Sequence, residues 1–300
     1  MALEPQTPTA ASAPSAAPSG PPRIAKGSAE YRATVFAMFS CGFSIFAILY
    51  CTQPILPLFV EGFKISAAES SLALSLTTIC MAVAMLFASS LSEVVGRKPL
   101  MMAALFSSSV LTLALALATE WSHILWLRSL AGVTLSGMPA VALAYLAEEM
   151  EPKAVSSAVG LYIGGGAVGG MTGRLVVAFL ADYGSWRMAM AAIGIAGLVS
   201  CIVFWKALAP SKHFVPRALS PVALIRTLVA HMGNPGIALL VIEGFLLLGS
   251  FMVLFNYIGF RLQAAPFHLS QAMAGLVFIV YPLGSFGSAT MGAWAGRRGR

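Results

Sequence analysis

The sequence predicts an all-α membrane protein, and three observations predict it. Hydrophobic residues make up 58% of the 300-residue chain and charged residues only 10%, where a soluble domain carries about 25% charge. Several apolar runs reach the ~20 residues a helix needs to cross a hydrocarbon core about 30 Å thick. Alternating segments of about ten residues, the mark of a spanning β-barrel, are absent, and a helix satisfies its own backbone hydrogen bonds within the bilayer.

Eight spanning helices are expected, at 33–58, 69–90, 99–118, 123–146, 155–180, 187–208, 236–260 and 271–295. Residues 1–30 are rich in Ala, Pro and Ser and lack both an apolar core and a signal-peptide h-region, so a disordered tail is expected there. Residues 31–208 hold six helices. Residues 209–235 form the longest polar connection, with a surface-lying amphipathic helix expected from Pro221 to Met232. Residues 236–300 hold the remaining two helices. With the N-terminus in the cytoplasm, thirteen of the eighteen Lys and Arg residues fall on that side, which sets the expected orientation. The same loop distribution accounts for the +7 net charge. A nucleic-acid partner is not expected, since it would need the basic residues gathered on one polar face. The four cysteines lie in apolar runs without metal-ligand spacing and are read as packing residues, so no metal or other cofactor is expected.

Polar groups inside the runs carry the functional signal. In the first helix, LYCTQPILP sets Tyr50 and Gln53 in apolar surroundings, and Pro54 and Pro57 loosen the backbone beside them. An internal repeat relates FKISAAESSL (63–72) to FHLSQAMAGL (267–276) at an offset of 204. The same offset sets Thr52 and Gln53 against Asn256 and Tyr257 of the seventh helix. Paired polar positions in two repeats point to a shared cavity lined by Tyr50, Gln53, Asn256 and Tyr257; the alternative is interfacial anchoring. Glu243, about eight residues into the seventh helix, is the one acid well inside a span. Intramembrane acids are functional candidates, here for carrying a proton; the alternative is a glutamate pairing with a loop base.

The loop SSLSEVVGRKP (89–99) is where a family resemblance becomes specific. It resembles the loop signature G-x-L-a-D-r-x-G-r-R/K of the major facilitator superfamily. Gly96, Arg97 and Lys98 match; Ser89 stands for the Gly, Glu93 for the Asp and Val94 for the first basic residue. GAWAGRRGR (292–300) reads as a second copy, with Gly292, Gly299 and Arg300 matching. The resemblance implies an inner gate loop in which Glu93 pairs with nearby bases in one conformation only. A plain topology-setting basic loop is the alternative.

Two further motifs extend the resemblance. LRSLAGVTLSG in the fourth helix is similar to the family's R-x-x-q-G, with Ala131 for the Gln, which implies proton or substrate handling by Arg128. The alternative is an arginine snorkelling to the interface. GLYIGGGAVGGMTGR in the fifth helix formally contains G-x-G-x-x-G, but no strand precedes it, so a dinucleotide site is rejected. Its spacings 160/164, 165/169, 166/170 and 169/173 suit close helix packing. The segment resembles the glycine-rich motif of proton-coupled antiporters, with Gly165, Gly169 and Gly170 matching and Gly166 in the proline position. Arg174 closes it, with Asp182 as its expected counter-charge.

Together with SSLALSLTT and AYLAEEMEP, these stretches spread the resemblance, to sugar- and drug-efflux-type permeases, over nearly all of 31–300. It implies a monomeric, bacterial inner-membrane secondary transporter working by alternating access. The expected activity is proton-coupled efflux of a small organic molecule such as a sugar, nucleoside or drug. An uptake symporter of the same fold and a shortened, inactive chain are the alternatives. A second half equal to the first would place ~100 further residues after Arg300. An enzyme is not expected: no H-E-x-x-H, intramembrane aspartate pair or phosphate loop occurs.

Overall fold

A computed structural model describes residues 21–214, 226, 229–281, 283–284 and 294. Gly292, Gly299 and Arg300 of the second loop copy, and most of the expected 221–232 surface helix, lie outside the described residues. Helix α1 (Ala29–Tyr50) starts at Ser28, whose side chain accepts from the Tyr31 N–H. The expected single helix at 33–58 is broken. Pro54 offers no N–H and its ring would clash with the preceding turn, so Cys51–Ile55 is irregular and a short α2 (Leu56–Phe63) resumes with Pro57 in its first turn. Ser66 and Glu69 form a reciprocal capping box that opens α3 (Ala67–Val95).

Gly96, at φ +102°, is the single residue joining α3 to α4 (Arg97–Leu115), a backbone setting that favours glycine. The expected 123–146 helix is also two pieces, α5 (Trp121–Leu135) and α6 (Pro139–Glu149), parted at Ser136–Met138 because Pro139 cannot continue α5's hydrogen-bond ladder. Helices α7 (Pro152–Tyr183), α8 (Trp186–Ala207) and α9 (Pro235–Gln263) follow. A short α10 (Gln271–Gly275) then passes into a 3₁₀ turn, Leu276–Val280. Among the described residues seven helical runs are long and apolar enough to cross a membrane, α5 with α6 counting as one. The eighth expected span is described only over its first part.

Glycines set the closest packing. A Cβ on Gly165 or Gly169 would collide with the carbonyls of Phe39 and Phe43, and one on Gly173 would lie 2.7 Å from Ala47 Cα, so α7 presses its backbone onto α1. From the other side, a Cβ on Gly42 would lie 2.7 Å from the Tyr162 carbonyl oxygen. Gly160 and Gly164 face open space, so that spacing does no packing here. Gly132 does the same service for α5 against α3 at Thr77, and Gly194 and Gly197 for α8 against α4.

The repeat is visible in the backbone. Lys64 and His268 both adopt the left-handed conformation (φ +58° and +45°), and Ser66 and Ser270 both cap the helices that follow. Residues 21–28, expected in the tail, instead lie against the bundle: Ile24 is buried, with its N–H on the Glu149 carbonyl and its carbonyl accepting from the Glu151 N–H. The tail expectation therefore fails over 21–30, of which Ala29 and Glu30 open α1, and residues 1–20 lie outside the described residues. Helix α9 buries no residue. It meets the bundle at its far end, where Gly259 approaches Pro57 and Phe260 packs on the core.

Candidate functional site

The break between α1 and α2 organises the site. Helix α1 ends with the Ile48 and Leu49 carbonyls short of backbone donors, since no turn continues above them; Cys51 Sγ donates to Ile48 O (3.1 Å). Arg128 of α5, 1% exposed, supplies the missing donors. Its Nη1 donates to Ile48 O (3.0 Å), its Nη2 to Leu49 O (2.6 Å) and its Nε to Ala73 O of α3 (3.1 Å). The guanidinium thus pins α1, α3 and α5 at the break and fixes where Tyr50 and Gln53 stand. Its burial turns the guanidinium into the bundle rather than outward along the helix, and no carboxylate meets it among the described residues.

One layer away, Arg174 of α7 is buried completely. Its Nε donates to Gln53 Oε1 (2.6 Å) and its Nη1 to Gly170 O (2.8 Å). Gly170 is small because this guanidinium lies over it; a Cβ would sit 3.3 Å from Nη1. The Tyr50 ring stacks at 3.9 Å, and the Tyr281 and Phe278 rings close the other sides at 4.9 and 5.2 Å. Nη2 finds no hydrogen bond of ordinary geometry among the described residues. Asp182, the expected counter-charge, lies two turns further along α7 and instead accepts from Ser270 Oγ (2.9 Å).

Gln53 extends the chain of contacts across a seam. Its Nε2 donates to Asn256 Oδ1 of α9 (2.6 Å), so Gln53 bonds to the neighbour of its repeat partner Tyr257. Gln271 of α10 donates to the Pro54 carbonyl, and Gly275 rests on Ala178 of α7. Tyr257 does not join them. It is 62% exposed, because the next residue on a helix points about 100° away. The seam lies toward the far ends of α1, α7 and α9, each roughly 32 Å along its helix at ~1.5 Å per residue. Glu243 lies in the near half of α9, exposed and without a hydrogen bond or ion pair among the described residues.

The near side carries the 89–99 loop, whose charges are bound within the bundle itself. Arg97 grips Glu148 through two donors, Nη2 to Oε1 at 2.8 Å and Nε to Oε2 at 3.2 Å, while Glu93 stays 4.0 Å away. The third donor goes to Ser92 Oγ. Glu93 is therefore the lesser partner, and Glu148 is the acid that sequence reasoning missed, although AYLAEEMEP held the signal. Lys98 donates to the Trp205 and Leu208 carbonyls at the end of α8, a cation at a helix C-terminus. Glu149, 2% exposed, accepts from the His213 backbone N–H (2.9 Å) and faces its Nδ1 (3.0 Å); Nε2 meets the Pro21 carbonyl (2.8 Å). The Glu149 carboxylate and the Pro21 carbonyl hold the His213 pKa above its ordinary value.

A bundle of apolar helices with a buried polar seam between two sets of helices is the architecture of a multi-pass membrane transporter. The chain belongs to the Major Facilitator Superfamily, whose pattern it matches over residues 38–300, a family of secondary transporters. It is 44% identical to the inner membrane transport protein YnfM of Escherichia coli strain K12 over 277 residues, 92% of this chain and 66% of that protein. It is also 44% identical to the MFS-type transporter YybF of Bacillus subtilis strain 168 over 276 residues, 92% of this chain and 68% of that one. The chain thus spans about two thirds of the length of these curated relatives. A bacterial homologue of the human lysosomal transporter Spinster shares the fold, with TM-score 0.73 and 17% identity over 90% of this chain and 64% of that structure.

Proposed function

We propose that the protein moves a small organic molecule across a bacterial inner membrane by alternating access, exporting it against protons. The carrying observation is the seam. Gln53 of α1 and Asn256 of α9 bond directly at the far end, while the near half of α9 buries nothing. Such an arrangement closes one side and leaves the other open, and breaking the Gln53–Asn256 bond reverses it. In this reading residues 31–208 and 236–300 belong to two rocking halves joined by 209–235. The N-terminus is cytoplasmic, so the closed seam faces the periplasm. Gly165, Gly169 and Gly170, which resemble the antiporter motif, support export, and Glu243 is the proton carrier on the open side.

Transport in inverted vesicles tests this. An exporter accumulates substrate only when the vesicle interior is acidified. Locking the seam with a disulfide between Gln53→Cys and Asn256→Cys should stop transport, and reduction should restore it. Unchanged transport in the locked protein would refute the seam as a gate.

A further inference from the structure

We infer that the substrate is an organic anion, a carboxylate on a small flat or aromatic skeleton, and that Arg174 is its recognition cation; the inference rests on the transport reading above. A buried guanidinium is costly unless an anion or a full set of acceptors meets it. Arg128 shows the second solution: all three of its nitrogens donate to carbonyls. Arg174 has neither. It takes one amide oxygen and one carbonyl beside the Tyr281 hydroxyl; among the described residues its Nη2 makes no hydrogen bond, no carboxylate meets it, and every ion pair lies elsewhere. The charge is permanent, since arginine does not deprotonate in proteins.

Its surroundings supply what a flat acid needs. Tyr50, Tyr281 and Phe278 present ring faces to the guanidinium, an aromatic lining that suits a planar ligand bound against the same cation. Gln53 holds Nε from the α1 side and Asn256 through Gln53. When Asn256 withdraws with α9, Arg174 keeps its bonds to Gln53 and Gly170, both in the first six spans, and its fork turns to the cavity with a free edge. A carboxylate fits that edge with two parallel bonds. A cation at this place would meet repulsion, and a neutral sugar would leave the charge uncompensated.

Binding distinguishes these cases without any transport step. The full chain in detergent or nanodiscs is titrated with benzoate, with benzamide and with benzyltrimethylammonium, read by thermal shift and calorimetry. Benzoate should bind roughly 10- to 100-fold more tightly than benzamide, the scale of charge-assisted bonds, and the cation least of all. Arg174→Gln should remove that preference while benzamide binding stays as it was; Arg174→Lys should keep part of it. A cage that is only structural would lose both probes together in Arg174→Gln. Equal binding of all three probes, binding favouring the cation, no binding of benzoate, or an unchanged preference in Arg174→Gln would overturn the assignment. Benzoate binding without movement across the membrane would instead refute transport and leave the site standing.

Discussion

Two arginines, Arg128 and Arg174, both lie in helix interiors and both are buried, yet the protein uses them differently. Arg128 is spent on backbone: the break at Cys51–Ile55 frees carbonyls, and the guanidinium closes them. Arg174 is set among rings and one amide, beside a seam that two sets of helices share. The difference teaches that a buried charge is defined by its acceptors. A guanidinium whose acceptors all belong to the fold is a strut. One whose acceptors are incomplete, at a place that opens, is a binding group.

The comparison can be broken most severely at the wall that carries Arg174. Gly169→Leu would drive a side chain into the Phe43 carbonyl of α1, and the loss should be at least ~3 kcal/mol, seen as failure to fold or a large fall in Tm. Next comes the strut. Arg128→Leu leaves the Leu49 carbonyl without its donor and the Ile48 and Ala73 carbonyls with only Cys51 Sγ and the Thr77 turn of α3, at about 2–3 kcal/mol, so Tm should fall clearly. Arg174→Gln, which takes a donor from Gln53 Oε1 while Gly170 O stays in the α7 ladder, should change Tm far less. If the two variants lose equal stability, the distinction between strut and binding group fails.

A smaller effect is expected at the seam. Asn256→Leu removes one acceptor of Gln53, worth ~1 kcal/mol, and should raise labelling of a far-side cysteine about fivefold as the closed state loses ground. The smallest belongs to the near side. The raised His213 pKa means that its contact with Glu149 stabilises fully below the ordinary value of 6.5 and is lost as pH rises through the raised value. Tm should therefore decline from neutral toward alkaline pH, and His213→Ala should flatten that decline. A profile identical in the variant would remove His213 from the account.

Much of this molecule is legible along the chain because membrane folding obeys short-range rules. Apolar length set the spans, Pro54 and Pro139 mark where helices break, and the glycines of GLYIGGGAVGGMTGR mark where a backbone comes close. Even the pairing of Gln53 with Asn256 is foreshadowed by the repeat, one residue out of register, because related segments meet across a pseudo-symmetric seam. What lay beyond the sequence is which partner each charge takes. Glu93 and Asp182 are the obvious acids by proximity in sequence, yet Arg97 chose Glu148 and Arg174 chose Gln53 and three rings. Those choices depend on how α5, α6 and α7 are stacked side by side, with partners fifty or more residues apart, and on desolvation that exists only once the helices have packed. Local sequence determined the helices and their close approaches. The tertiary structure alone decided which buried charges are satisfied and which one is held ready.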